Sequence, residues 1–219
     1  MSVEVTEKVN AVILEYASPT LKRLGFSKSG QRFWHRTQES IWVLEFQRGK
    51  YNQGSNGEFT LNLGVYHPVW AHAVIEIPRL SFMGPVKKKP AEQDCFIRER
   101  LDELYGVPVH LRSKGSSWWG VSSHLRIPDL GDSVVSAIEE FAIPWFQRLN
   151  DLQSGVEYLD NRYSGLRNAW LYKVNAMIGM GLLGETQRAS ELYKLARKDS
   201  PNRGAMDTDF RDWRKSIGI

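Results

Sequence analysis

The chain has 219 residues, 42% hydrophobic and 11% aromatic, enough apolar material for a packed core in one large domain or a domain with an appendage. No apolar run approaches the roughly 18 residues of a membrane helix, and the opening MSVEVTEKVN lacks a signal peptide's apolar segment. The single cysteine, Cys95, excludes an internal disulfide framework, and the net charge of +4 is scattered apart from Lys87-Lys88-Lys89, so a cytoplasmic protein without a basic arm is expected.

In chain order, residues 3–24 read as helix, with Val5, Val9, Val12, Ile13 and Tyr16 on one stripe. Ser18-Pro19 reads as an N-cap and first-turn proline that restart a short turn ending at Gly25. Residues 32–37, 41–50 and 58–66 are dense in aromatic and β-branched types and read as strands. Phe59, Leu61, Leu63 and Val65 alternate with Thr60, Asn62, Gly64 and Tyr66, whereas Trp42, Leu44 and Phe46 alternate with Ile41, Val43 and Glu45. The second of these strands is therefore central, with both faces largely apolar. Tyr51 to Gly57 makes a polar hairpin loop.

His67-Pro68 ends the β structure, and 69–90 reads as a long irregular segment punctuated by Pro78, Gly84, Pro85 and Pro90. Residues 91–105 read as helix stopped by Gly106, and 107–111 and 117–126 as two further strands, with Trp118 and Trp119 on opposite faces. Pro128 to Gly131 reads as a turn, followed by a helix over 132–150 capped by Asp132 or Ser133 and kinked at Pro144.

These elements predict an α+β fold: an antiparallel sheet of about five strands, helices at 3–24, 91–105 and 132–150 mainly on one face, and a helical C-terminal extension. The expected units are 1–151 and 152–219. Within the second, 165–181 and 186–199 form a hairpin turning at Gly184, and Gly184, Ala189, Tyr193, Ala196 and Pro201 follow the spacing of the second half of a tetratricopeptide repeat.

Leu21-Lys22-Arg23-Leu24-Gly25-Phe26, Phe46-Gln47-Arg48, Phe59-Thr60-Leu61-Asn62-Leu63-Gly64 and Trp118-Trp119 together resemble the bacterial "domain of unknown function 4304" family over roughly residues 5–150. The resemblance implies a small α+β domain and supplies no catalytic residues.

No glycine-rich phosphate loop, serine-nucleophile elbow or paired-carboxylate signature occurs. His67, His72 and Glu76 fit no standard zinc spacing, so neither metal nor cofactor is expected, and Cys95 reads as a buried small hydrophobe. Glu45, Gln47, Asn62 and His35 are the candidates for a polar pocket on the sheet. Arg32, Trp34, His35, Arg36 and Trp42 could form a stacking platform for nucleic acid, but as a core face with a solvated edge they are explained more simply.

The leading expectation is a non-enzymatic protein-binding protein, in one form an immunity protein that neutralises a toxin. Trp70, Arg79 and Lys87 are the expected partner-binding residues, in the 69–90 segment. An RNA- or DNA-binding module is the alternative, and a hydrolase or ligand-binding protein with a dispersed site the third reading.

Overall fold

The computed structural model describes residues 3–52, 55–78, 80, 84–166 and 169–219. β1 (Ser27–Ser29), β2 (Arg32–Arg36), β3 (Ile41–Arg48), β4 (Gly57–Tyr66) and β5 (Ile97–Arg100) lie side by side in chain order, every pair antiparallel. β4 is the pivot. One edge pairs with β3 from Ile41↔Tyr66 to Arg48↔Phe59. The other edge pairs with β5 at 62–65 and with β6 (Trp119–Val121) at 57–59. The β2–β3 register is set by a tight connection in which Thr37 N–H donates to the Ser40 carbonyl at 2.9 Å and Ser40 N–H to Thr37 Oγ1 at 2.9 Å.

Because side chains alternate along a strand and residues directly opposite share a face, the register sorts the sheet into two surfaces. Phe33, His35, Trp42, Leu44, Phe46, Phe59, Leu61, Leu63 and Val65 take one face, where Trp119 stacks on Phe59 at 5.8 Å. Helices seal this face: Phe146 lies parallel to Trp42 at 5.3 Å, and Trp119 Nε1 donates to Ser133 Oγ. The opposite face carries Trp34, Val43, Gly64 and Tyr66 at one end and Arg32, Glu45, Gln47, Thr60 and Asn62 at the other. The segment around Pro90–Cys95 covers the apolar end, where Trp34 Nε1 donates to the Pro90 carbonyl at 2.7 Å. The side chain of buried Cys95 occupies the place a Cβ on Gly64 would take, and burial pushes its thiol well above the usual range.

The first helix does not restart at Ser18. α1 (Val3–Ala11) runs through a π-turn, Val12–Ala17, into α2 (Ser18–Arg23), and Ser18 Oγ donates to the Ile13 carbonyl instead of capping. The same device recurs where a π-turn, Ile138–Ala142, joins α5 (Ile127–Ala137) to α6 (Ile143–Arg148). In each case the widened turn lies just before a proline, Pro19 or Pro144. A proline ring clashes with the carbonyl four residues back, and the wider turn relieves that clash without ending the helix. α5 also begins five residues before its expected start. Pro128 sits in its first turn, and Gly131 is no turn residue: Tyr16 lies so close that a Cβ there would stand 2.2 Å from its ring.

Three further expectations are corrected. Residues 91–105 are not one helix, since a 3₁₀ turn at Glu92–Asp94 leads into strand β5 and only then into α4 (Leu101–Tyr105). Residues 107–111 hold a 3₁₀ turn, and 117–126 pairs as strand only at 119–121. The segment 69–90 is not irregular throughout either, because Pro68 opens α3 (Pro68–Ile75).

α7 (Leu152–Tyr163), capped by Asp151 accepting from Ser154 N–H, packs on β5, and α8 (Trp170–Leu182) packs on α7. Gly155 of α7 approaches Ile97, and Glu99 accepts from Tyr158 Oη at 3.0 Å and from Arg162. α8 and α9 (Thr186–Asp199) form the expected helix pair, turning at Gly184 with φ +80 and burying Ala189 and Ala196. Buried Lys173 ties the pair together, donating to the Leu166 carbonyl at 2.6 Å and to Asp199. α10 (Arg203–Asp209) and α11 (Arg211–Ser216) close the end, with Phe210 buried.

Candidate polar groove on the sheet

Where the Pro90–Cys95 cover ends, the polar half of the second face opens into a groove. Its floor is Gln47 and Asn62, whose amides meet with Asn62 Nδ2 donating to Gln47 Oε1 at 2.7 Å. On the β2 side lies a concavity of about 520 Å³ lined by Gln31, Arg32, Glu45 and Arg48. On the β5 side lies one of about 400 Å³ lined by Arg98, Arg100, Glu103, Arg162, Tyr163 and Tyr172. Both are bordered by Gln47, Asn62 and Glu92.

The strand register creates this arrangement. Arg98 and Arg100 alternate with inward-facing Ile97 and Glu99, and they pair opposite Gly64 and Asn62. Tyr163 and Tyr172 stack at 4.1 Å and come from α7 and α8.

The groove's charges are held to different degrees. Arg32 forms a two-pronged pair with Glu45 at 2.8 and 2.6 Å. Arg162 pairs with Glu99 beneath Tyr158. Arg98 and Arg100 stand farther from carboxylates, 3.6 Å from Glu92 and 3.8 Å from Glu103. Burial acts to lower the Arg98 pKa, but a hydrogen bond to Tyr172 and the neighbouring Glu92 outweigh it and hold the guanidinium charged. Burial raises the Glu92 carboxyl above its usual range, against the pull of Arg98.

Among the described residues the lining holds no serine, cysteine or histidine. Its chemistry is that of arginine, carboxylate, amide and phenol groups, which offer charge-assisted and neutral hydrogen bonds.

Three of the four pocket residues expected from sequence, Glu45, Gln47 and Asn62, do line this groove. His35 does not. It lies on the opposite face between Phe26 and Trp42, at 5.2 and 4.7 Å. Of the expected partner-binding residues, Trp70 is fully buried, packed on Phe96 and donating Nε1 to the Asn175 carbonyl, so it is no surface anchor. Lys87 is partly exposed, bonded to Asp94 at 2.6 Å, and borders a separate concavity with Tyr66, Val74 and Phe96. Arg79 lies outside the described residues. His67 is buried, where desolvation depresses its pKa, while His72 pairs with Glu76 at 3.2 Å in solvent. Among the described residues no cluster of three or more His, Cys, Asp or Glu could hold a metal ion. No helix of the described residues is long and apolar enough to cross a membrane.

Arg98, Arg100, Arg162 and Tyr172 line the groove in addition to the candidates expected from sequence. The alternation in Ile97-Arg98-Glu99-Arg100 is the signal that exposes the first two. Nothing local marks the other two, which long-range packing brings to the groove.

No characterised protein and no solved structure is significantly similar to the chain. The family model described as Domain of unknown function (DUF4304) matches residues 17–148, a span that includes every strand of the sheet. Arg162, Tyr163 and Tyr172 fall beyond the matched span. The chain thus belongs to the DUF4304 family, and the helices after residue 148 add one wall to the groove on its sheet.

Proposed function

We propose that the protein is a non-enzymatic binding protein whose sheet groove receives part of another protein. The observation that carries this reading is the lining itself, five arginines and four glutamates around an amide floor with two tyrosines at the wall. Arginine and tyrosine are the types enriched where proteins meet. A nucleic-acid backbone is disfavoured here, since its unbroken run of phosphates calls for a continuous basic surface, whereas this lining interleaves four carboxylates with five guanidinium groups and could answer only one or two isolated acidic side chains. Neutralisation of a toxin is a specific case of this reading, in which the seated segment belongs to the toxin.

A photo-crosslinking side chain placed at Gln47, with exposed Glu140 on α5–α6's outer surface as control, tests it in an extract of the cell that makes the protein. The expected result is one crosslinked protein species from position 47 and none from 140. Crosslinks to nucleic acid, or equal protein capture at both positions, would overturn the proposal.

A further inference from the structure

Four of the groove's five arginines divide into two kinds. Arg32 and Arg162 each lie within hydrogen-bond reach of a glutamate, so their charge is already answered. Arg98 and Arg100 have their nearest carboxylate oxygens at 3.6 and 3.8 Å, beyond a hydrogen bond. Arg100 rests over the Trp118 ring at 5.5 Å, a contact made by the flat of its guanidinium rather than by its edge donors. Being two residues apart on one strand, the two arginines repeat at about 6.6 Å. An extended peptide presents alternate side chains at the same interval.

We infer that the groove's occupant is an acidic segment of the partner, with carboxylates at every second position seated on Arg98 and Arg100. This rests on the protein-binding reading above. Arg98 and Arg100 supply the charge-assisted bonds, and the Tyr163–Tyr172 stack forms the wall that positions the chain. The residues bordering the groove from outside the family match would then set its specificity.

The probes are a short peptide alternating Glu and Ala, its Gln–Ala counterpart and a short thymidine oligonucleotide, titrated against the full chain by calorimetry and by NMR of the Trp118 indole. The Glu–Ala peptide should bind and shift the Trp118 signal, and the Gln–Ala peptide should bind about tenfold or more weakly, one charge-assisted bond's worth. Arg98→Gln and Arg100→Gln should each lower affinity by a similar factor. Lys114→Gln, in a basic concavity beside β6, should leave it unchanged. If Arg98→Gln disturbs folding through the loss of Tyr172, the exposed Arg100→Gln decides alone. Lack of binding, equal affinity for the two peptides, equal loss in Lys114→Gln, or tighter binding of the oligonucleotide would each overturn the inference. A protein crosslinked at Gln47 without preference for the Glu–Ala peptide removes the acidic occupant but leaves the binding role standing.

Discussion

The two faces of this sheet come from the same strands and meet opposite fates. On one face aromatic rings pack in series, Phe33 on Phe46, Phe46 on Phe59 and Phe59 on Trp119, each pair about 6 Å apart, and helices α1, α5 and α6 exclude water from them. On the other, cover extends over Trp34, Val43 and Gly64 and stops at Glu92. There the strand residues turn polar: Glu45 follows Val43 and Asn62 follows Gly64 on the same surface. The side-chain character changes at the place where the covering segment runs out. The comparison teaches that β3 and β4 are built for burial along their length except over one patch, where Glu45, Gln47 and Asn62 are left partly or wholly exposed.

The largest effect expected from this contrast lies on the sealed face. Phe59 is fully buried against Phe46 and Trp119, so Phe59→Ala removes a whole ring and leaves a cavity. We expect a loss of about 3–5 kcal/mol in chemical denaturation. A loss below about 1 kcal/mol would mean that the ring stack does not carry the core as described.

The next concerns the helices that do the sealing. Gly131 of α5 lets the helix approach the ring of Tyr16, with no room for a methyl group. Gly131→Ala should cost about 1–3 kcal/mol by overpacking, partly offset by the ~1 kcal/mol that alanine gains over glycine within a helix. A more stable variant would show that Tyr16 swings aside and the seal is loose.

How much of this contrast the sequence reveals depends on whether its cause is local. The three strands β2–β4 are legible because their alternation is long and uninterrupted, and the hairpin at Gly184 because glycine with positive φ marks a helix end. His35, a candidate for the polar pocket, shares the parity of inward Phe33 on β2, and that parity places it on the sealed face. β5 was hidden because Ile97, Leu101 and Leu104 also satisfy a helical spacing, so four residues of strand merged into the helix that follows. Trp70 reads as a surface residue because Pro68 ends β structure and the segment after it lacks clear periodicity, yet proline is equally a first-turn helix residue. Half the groove was out of reach for a different reason: Arg162 and Tyr172 arrive by packing across about sixty or more residues of chain, and no local pattern encodes that.

The open face should respond weakly to changes that the sealed face would not tolerate. Gln47 is exposed and Asn62 half-buried, and their mutual hydrogen bond lies at the solvent boundary. Gln47→Ala should change stability by no more than about 0.5 kcal/mol, as surface substitutions generally do. Glu45→Ala, which releases half-buried Arg32, should cost up to about 1 kcal/mol. These are also the variants expected to weaken partner capture, so a fold left intact with binding lost would separate the roles of the two faces. A denaturation midpoint that falls as far for Gln47→Ala as for Phe59→Ala would erase the distinction.

The smallest effect is a pH dependence at the border between the covered and open parts. Glu92 stands where the cover ends, its backbone N–H near Glu45 Oε2 at 3.4 Å and its side chain 19% exposed. Burial raises its carboxyl pKa in the folded state above the ordinary value of 4.5; Glu45 pushes in the same direction, while Arg98 opposes both. The folded state therefore holds this proton more tightly than the unfolded chain does. The stability that follows is fully present below pH 4.5 and is lost as the pH rises through the folded pKa. Glu92→Gln keeps a neutral side chain of the same shape and so removes this titration. Melting curves of the two proteins collected from acid to neutral pH should show the wild type falling relative to the variant as the pH rises. A difference that stays constant with pH, or one that grows in favour of the wild type, would show that Arg98 rather than burial governs Glu92, and the groove's edge would then be an ion pair already closed to a ligand.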